Sequence, residues 1–239
     1  MASGIRSLAA ARRLFCRQPS ARVLAVGLAA AMAVRLSLIG STGVRRWDLL
    51  AAAVVVALVP LVEWFIHRVV LHAEPRRLGR LTVDTGYGHR QHHLHPASVN
   101  WVLLRGVDAG LFQVVNAAAV TVVIGGPLLL AGVAPLGPVL TGIVVAIGAL
   151  IHYEWAHFLF HTAYRPKTRY YRRLKANHRL HHWRNERYWL GITTNLGDRL
   201  LRTHPADRSA VARSATARTL GMDPEGTGPA QSVTADSGR

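Results

Sequence analysis

The sequence predicts an all-α fold, an integral-membrane four-helix transmembrane bundle that carries a cytoplasmic histidine-rich helical cap. Three observations predict it. Half of the 239 residues are apolar, gathered in runs of Ala, Val, Leu, Ile and Gly almost free of charge, as in segments that cross about 30 Å of hydrocarbon. Arg and Lys, which give a formal charge of +17, stop at the edges of those runs, where basic residues set topology at a lipid surface rather than follow a nucleic acid. Thirteen histidines stand largely beyond the runs, at helical spacings. The single Cys16 excludes an internal disulfide framework and a multi-cysteine zinc ribbon.

Residues 1–22, with five arginines and no acid, form a basic cytoplasmic N-terminal segment. They are patterned like a signal peptide but lack a small-residue cleavage site, so residues 23–39, apolar except for Arg35, are expected as an uncleaved first span. Residues 49–66, broken by Pro60 and Glu63, form the second span; residues 111–133 and 136–151 form the third and fourth, the last continuing as a helix beyond the bilayer. The uncharged link at Ala134 and Pro135 reads as a tight turn that makes the last two spans an antiparallel hairpin.

The N-terminus, the stretch from Arg68 to Arg105 and everything after Arg165 are rich in Arg and Lys, which places both termini and the histidines of a multi-pass protein on the cytoplasmic side. The loop Ser41–Trp47, with Arg45 and Arg46, is the local exception. The membrane domain covers residues 23–204. Residues 205–239, rich in Gly, Ser, Thr, Ala and Asp and without an aromatic residue, are expected to form a disordered tail. The two halves of the domain echo each other, each a pair of spans followed by a histidine-rich segment.

Ten histidines fall into four boxes, two within residues 67–93 and two within 157–182. They are His67 and His72; His89, His92 and His93; His157 and His161; and His178, His181 and His182. Helical positions i, i+3 and i+4 share a face, so "HRQHH" and "HRLHH" each aim three rings at one point, and His157 and His161 converge one turn apart. His67 and His72 lie five apart, about 140° around an α-helix, and need a helix end or two targets. Protonated rings beside Lys175 and Arg179 would repel their neighbours, whereas metal ligands are neutral and place a cation at the centre. Ten nitrogens exceed the four ligands of one zinc and suit two metals with open positions; iron is expected, with zinc open in the isolated protein. Glu63 and Glu154, four and three residues before His67 and His157, are candidates to accept a ring N–H as outer partners of the metal ligands. His95, His152 and His204 stand outside the boxes and read as interfacial residues. Trp64, Phe65, Trp155, Phe158 and Phe160 lie beside ligands and are candidate walls of a substrate channel, although aromatic residues also populate membrane interfaces.

The boxes H-x-x-x-x-H, H-x-x-H-H, H-x-x-x-H and H-x-x-H-H, placed after two pairs of spans, resemble those of the fatty acid hydroxylase and sterol desaturase superfamily, from about Glu63 to Pro205. Locally "EWFIHRVVLH", "GHRQHH", "YEWAHFLFH" and "KANHRLHH", followed by "LGITTNLGD", are most similar to the fatty acid 2-hydroxylase branch. The resemblance implies that the ten box histidines are metal ligands and that a four-span bundle lies under a cytoplasmic cap. Eukaryotic members of that branch usually carry a fused haem domain; only about 22 residues precede the first span here, so electrons are expected from a separate electron-transfer protein.

The expected activity is that of an O₂-dependent di-iron monooxygenase acting on a membrane lipid, most of all hydroxylating the acyl chain of a fatty acid or complex lipid. Such C–H bonds demand an oxidant that no side chain supplies and that must be screened from water. Sterol desaturation or oxidation and carotenoid hydroxylation are alternatives within the superfamily. A metal-binding membrane protein without redox chemistry is an alternative of another class, although a transporter would place ligands at mid-membrane. The basic stretch Arg165–Arg187 suits anionic headgroups or an acidic electron donor.

Overall fold

The computed structural model describes residues 4–222. Helix α1 (Leu8–Phe15) starts where the Ser7 hydroxyl accepts from the Ala10 N–H and buries Ala11 and Phe15 against Trp155 and Phe158. It is followed by α2 (Pro19–Ser37), the short α3 (Ile39–Thr42) and α4 (Arg46–Phe65), which runs on as a π-helical turn, Ile66–Leu71. Strands β1 (Arg76–Leu78) and β2 (Leu81–Val83) form an exposed antiparallel hairpin with Leu78 opposite Leu81, a feature the all-α reading did not contain. Then come α5 (Tyr87–Leu94), α6 (Val99–Val102), α7 (Gly106–Val120), a second π-helical turn (Thr121–Gly125), α8 (Gly126–Leu130), α9 (Leu136–Phe160), α10 (Arg169–Trp183) and α11 (Leu196–Leu200).

Among the described residues, four stretches are long and apolar enough to cross a membrane: Pro19–Ser37, Arg46–Leu71, Val99–Leu130 and Leu136–Phe160. The first opens on Pro19 at the first helical turn, where the missing N–H is no loss, and so begins earlier than residue 23. Between the third and fourth, Gly132 takes φ +69 and the Val133 N–H closes on Leu128 O at 2.8 Å, a left-handed stop that reverses the chain as expected.

Helix α9 is the central post, packed against α2, α4 and α7. Gly142 lets α7 approach it: a Cβ there would meet Val120 at 2.8 Å. At the end away from the histidines, buried Arg35 pairs with Asp48 at 2.8 Å, and Thr141 bridges them, 3.0 Å from the guanidinium and 2.7 Å from the carboxylate. This knot joins α2, α4 and α9 and explains how a charge persists in the first span; removing one member of such a pair costs about 3–5 kcal/mol.

Residues 205–222, expected as part of a disordered tail, are folded: Arg184 donates to Val211 O and Ser209 O, and Val211, Ala217 and Met222 are buried. The composition is that of a tail, but polar side chains of the cap satisfy this segment's backbone groups. Residues 223–239 and 1–3 lie outside the described residues.

Candidate metal centre and adjoining cavity

The cap collects the box histidines from the ends of α4 and α9 and from α5 and α10. On α10, Leu174, Asn177, His178, His181 and His182 form one buried face, while Arg172, Arg173, Ala176 and Arg179 are exposed on the other. Lys175 turns aside to donate to the carbonyls of Thr162 at 2.6 Å and Tyr164 at 2.7 Å, just past the end of α9, where a cation meets the negative end of the helix dipole.

The ten rings form two groups of five: His67, His72, His89, His93 and His181, and His92, His157, His161, His178 and His182. Within each group, one ring nitrogen per residue lies within 4.8 Å of the others. Each triple box is therefore split rather than aimed at one point. Positions i and i+4 serve the group of their own half, while the i+3 ring, His92 or His181, crosses to the other. The π-helical turn solves the spacing of the first box: i→i+5 bonding brings residues five apart to one side, and the His67 and His72 rings stand 5.0 Å apart.

The first group fits a cation on its own hydrogen bonding. His67 Nδ1 lies 2.6 Å from Leu190 O, His93 Nδ1 2.7 Å from Ala217 O and His181 Nδ1 3.0 Å from Tyr188 O. A carbonyl only accepts, so each Nδ1 carries the proton and each Nε2 is a bare lone pair. Yet His93 and His181 bring their Nε2 atoms to 3.2 Å. Two lone pairs at that distance repel unless a cation lies between them, and ligands about 2.1 Å from one metal at right angles stand about 3.0 Å apart. Buried His72 Nε2 and His157 Nε2 have no partner among the described residues, as open ligand atoms would not. In the second group Nε2 of His182 lies 3.1 Å from that of His92 and 3.2 Å from that of His178.

Burial, aided by the neighbouring rings, holds His72, His89, His92, His178, His181 and His182 well below the usual histidine pKa. It lowers His93 and His161 to about 3. All eight are neutral at pH 7, the state in which imidazole binds metal.

Glu63 and Glu154 do not touch the rings. Glu63 accepts from the Ile192 and Thr193 N–H groups at 3.3 and 3.1 Å and from the Thr193 hydroxyl, and Glu154 accepts from the Leu104 N–H at 3.1 Å. The ring nitrogens they were expected to serve face backbone carbonyls instead, Leu190 O for His67 and Val102 O for His157. Glu63 acts one step further out: it clamps the loop that presents Leu190 O to His67. Gly191 makes that loop possible, since a Cβ there would meet Thr194 O at 1.9 Å. Asp198 takes the Leu190 and Gly191 N–H groups at 2.9 and 2.8 Å. The histidines outside the boxes stand outside both groups, His152 on Tyr171 Oη, His204 on Asn177 and His95 at the end of α5.

Two cavities meet beside the centre. One, about 190 Å³ and almost wholly apolar, lies between α4, α7 and α9, and its rim residues Leu58, Val62 and Val123 are exposed on the outside of the bundle. The other, about 550 Å³, runs under the cap and is lined by His89 and His157, one ring from each group. Ile66, Leu71, Leu104, Phe112 and Tyr153 line both and form the waist between them. The proposed aromatic walls lie elsewhere. Trp155 and Phe158 pack on Phe15, with ring centroids 5.2 and 6.0 Å away, Phe160 packs on Leu174 and Ile192, Trp64 donates to Thr203 Oγ1 at 2.8 Å, and Phe65 is exposed. Adjacency to a ligand in sequence puts a helical residue on a different face, so the lining comes from residues such as Tyr153, four before His157.

The family model described as fatty acid hydroxylase matches residues 52–203 of the chain. No curated protein and no solved structure matches it.

Proposed function

The chain belongs to the fatty acid hydroxylase family, and on that premise we propose that it is a membrane-bound, O₂-dependent monooxygenase that hydroxylates an acyl lipid at a dinuclear iron centre held by the ten box histidines. The observation that carries the reading is the cavity that opens among the spans and ends on His89 and His157, one ring of each group. A pair of redox metals bound there supplies the activation of O₂ and the cleavage of a C–H bond. The protein's residues do the rest. The apolar arm between α4, α7 and α9 admits an acyl chain sideways from the bilayer, and the waist at Leu104, Phe112 and Tyr153 fixes its depth. The buried cap keeps water from the reacting carbon. The balance is R–H + O₂ + 2e⁻ + 2H⁺ → R–OH + H₂O, the two electrons coming from a separate reductant protein. The Arg and Lys distribution supports a cytoplasmic cap facing that donor, and the basic surface Arg165–Arg187 supports docking of an acidic partner.

The test compares lipid extracts by mass spectrometry from cells carrying the intact protein and its His181→Ala variant. The expected result is an acyl lipid gaining one oxygen only with the intact protein. Loss of two hydrogens would replace hydroxylation with desaturation, and identical extracts from cells in which the protein holds its metals would overturn the redox reading.

A further inference from the structure

The family match ends at residue 203, yet the chain beyond it returns to the metal centre. Residues 204–222 wrap over the turn that follows α10. Arg184 donates to Val211 O and Ser209 O, both at 2.7 Å, and Asn185 donates to Ala212 O at 3.1 Å. The Ser214 N–H returns a bond to Arg184 O at 2.8 Å. Glu186, buried, accepts from the hydroxyls of Ser214 and Thr216 at 2.9 and 2.8 Å. Arg208 reaches the face of α10 at Asn177 Oδ1, 2.7 Å away. These contacts seat Ala217, 2% exposed, with its carbonyl 2.7 Å from His93 Nδ1.

The three carbonyls that hold Nδ1 atoms of the first group differ in origin. Leu190 O and Tyr188 O, for His67 and His181, come from the loop within the family-matched region; Ala217 O, for His93, comes from the strap alone. Among the described residues, no ring of the second group hydrogen bonds to residues 204–222.

We propose that the segment 204–222 is a positioning strap for the first metal, fixing His93 through the Ala217 carbonyl in the tautomer whose Nε2 is free to bind, and that the two metals therefore depend on it unequally. The inference rests on the metal reading above. Partners of this kind are worth about 10- to 100-fold in metal affinity.

The experiment uses the full chain purified in detergent and stripped of metal. It is titrated with Co²⁺ against a competing chelator, bound metal is counted by elemental analysis, and the d–d absorption bands report each step. Two variants are compared with the intact chain: one ending at Pro205, and Ala217→Leu, which pushes the carbonyl aside without removing the strap. The expected result in both is one site of unchanged affinity and one weakened about 10- to 100-fold. In a His157→Ala background, where the first group remains, the weakened site should be the one still seen. Two unchanged sites in Ala217→Leu would overturn the proposal, as would equal weakening of both sites with a lowered melting temperature, the mark of a general structural role. An intact chain that binds no cobalt would instead overturn the metal reading itself.

Discussion

The group containing His89 and His93 and the group containing His178 and His182 use one ligand plan, an i, i+4 pair on a short cap helix, a pair from a span end and one ring crossing over. Their surroundings differ. Three rings of the first donate to backbone carbonyls of Leu190, Ala217 and Tyr188. In the second, His157 and His161 face the backbone carbonyls of Val102 and Pro96, while Nδ1 of His92, His178 and His182 is buried without a partner among the described residues. The ligand pattern is a property of helix geometry and repeats wherever the spacing repeats, whereas outer support comes from connecting segments and repeats only in part. The first group thus has backbone carbonyls on three of its rings and the second on two.

The largest effect that tests this comparison comes from the crossing rings. His92→Ala should lower metal affinity at the second group and His181→Ala at the first, each by at least about 100-fold, since a ligand is worth more than its outer partner, and each should abolish product. Metal counting combined with lipid analysis checks both; loss confined to the variant's own half of the chain would break the crossover. A smaller effect is expected from Glu63→Gln, which weakens the clamp on the Ile192 and Thr193 N–H groups. It should reduce affinity at the first group about 10-fold and leave the second alone, as read by chelator competition. Equal changes at both groups would remove the distinction.

Tyr153→Trp fills the waist beneath both groups. Product formation should fall about 10-fold, less than the roughly 10²-fold that a full 1 Å misplacement can cost, with two metals still bound; metal loss would show that Tyr153 supports ligands rather than substrate. The smallest effect is that of pH on the metal-free protein. The folded rings of His93 and His161 take up protons only at about 3, against about 6.5 for an ordinary histidine in the unfolded chain. Between those values the unfolded state binds more protons, so stability is full above about pH 6.5 and is lost as pH falls toward about 3. Thermal melts from pH 7.5 to 5 should show a falling midpoint, and a flat profile would contradict neutral buried rings.

The spans and the four boxes were legible in the sequence because hydrophobic runs and helical spacings are local. The splitting of each triple box was not, since it depends on how α5 and α10 face each other across the two halves. Nor was the π-helical turn that reconciles His67 with His72, which has no residue signature. Glu63 and Glu154 sit at the right intervals before His67 and His157 yet turn to backbone N–H groups supplied by distant segments. The strap read as a tail because its buried apolar residues, Val211, Ala217 and Met222, are too sparse to set a period, and its order depends on Arg184 and Glu186 at the end of α10.

The most direct test of the paired centre is elemental analysis of purified, active protein alongside its His181→Ala and His92→Ala variants. The arrangement of rings predicts two metal atoms per chain, with a different one lost in each variant. An active preparation holding fewer than two, or variants that keep both, would contradict it.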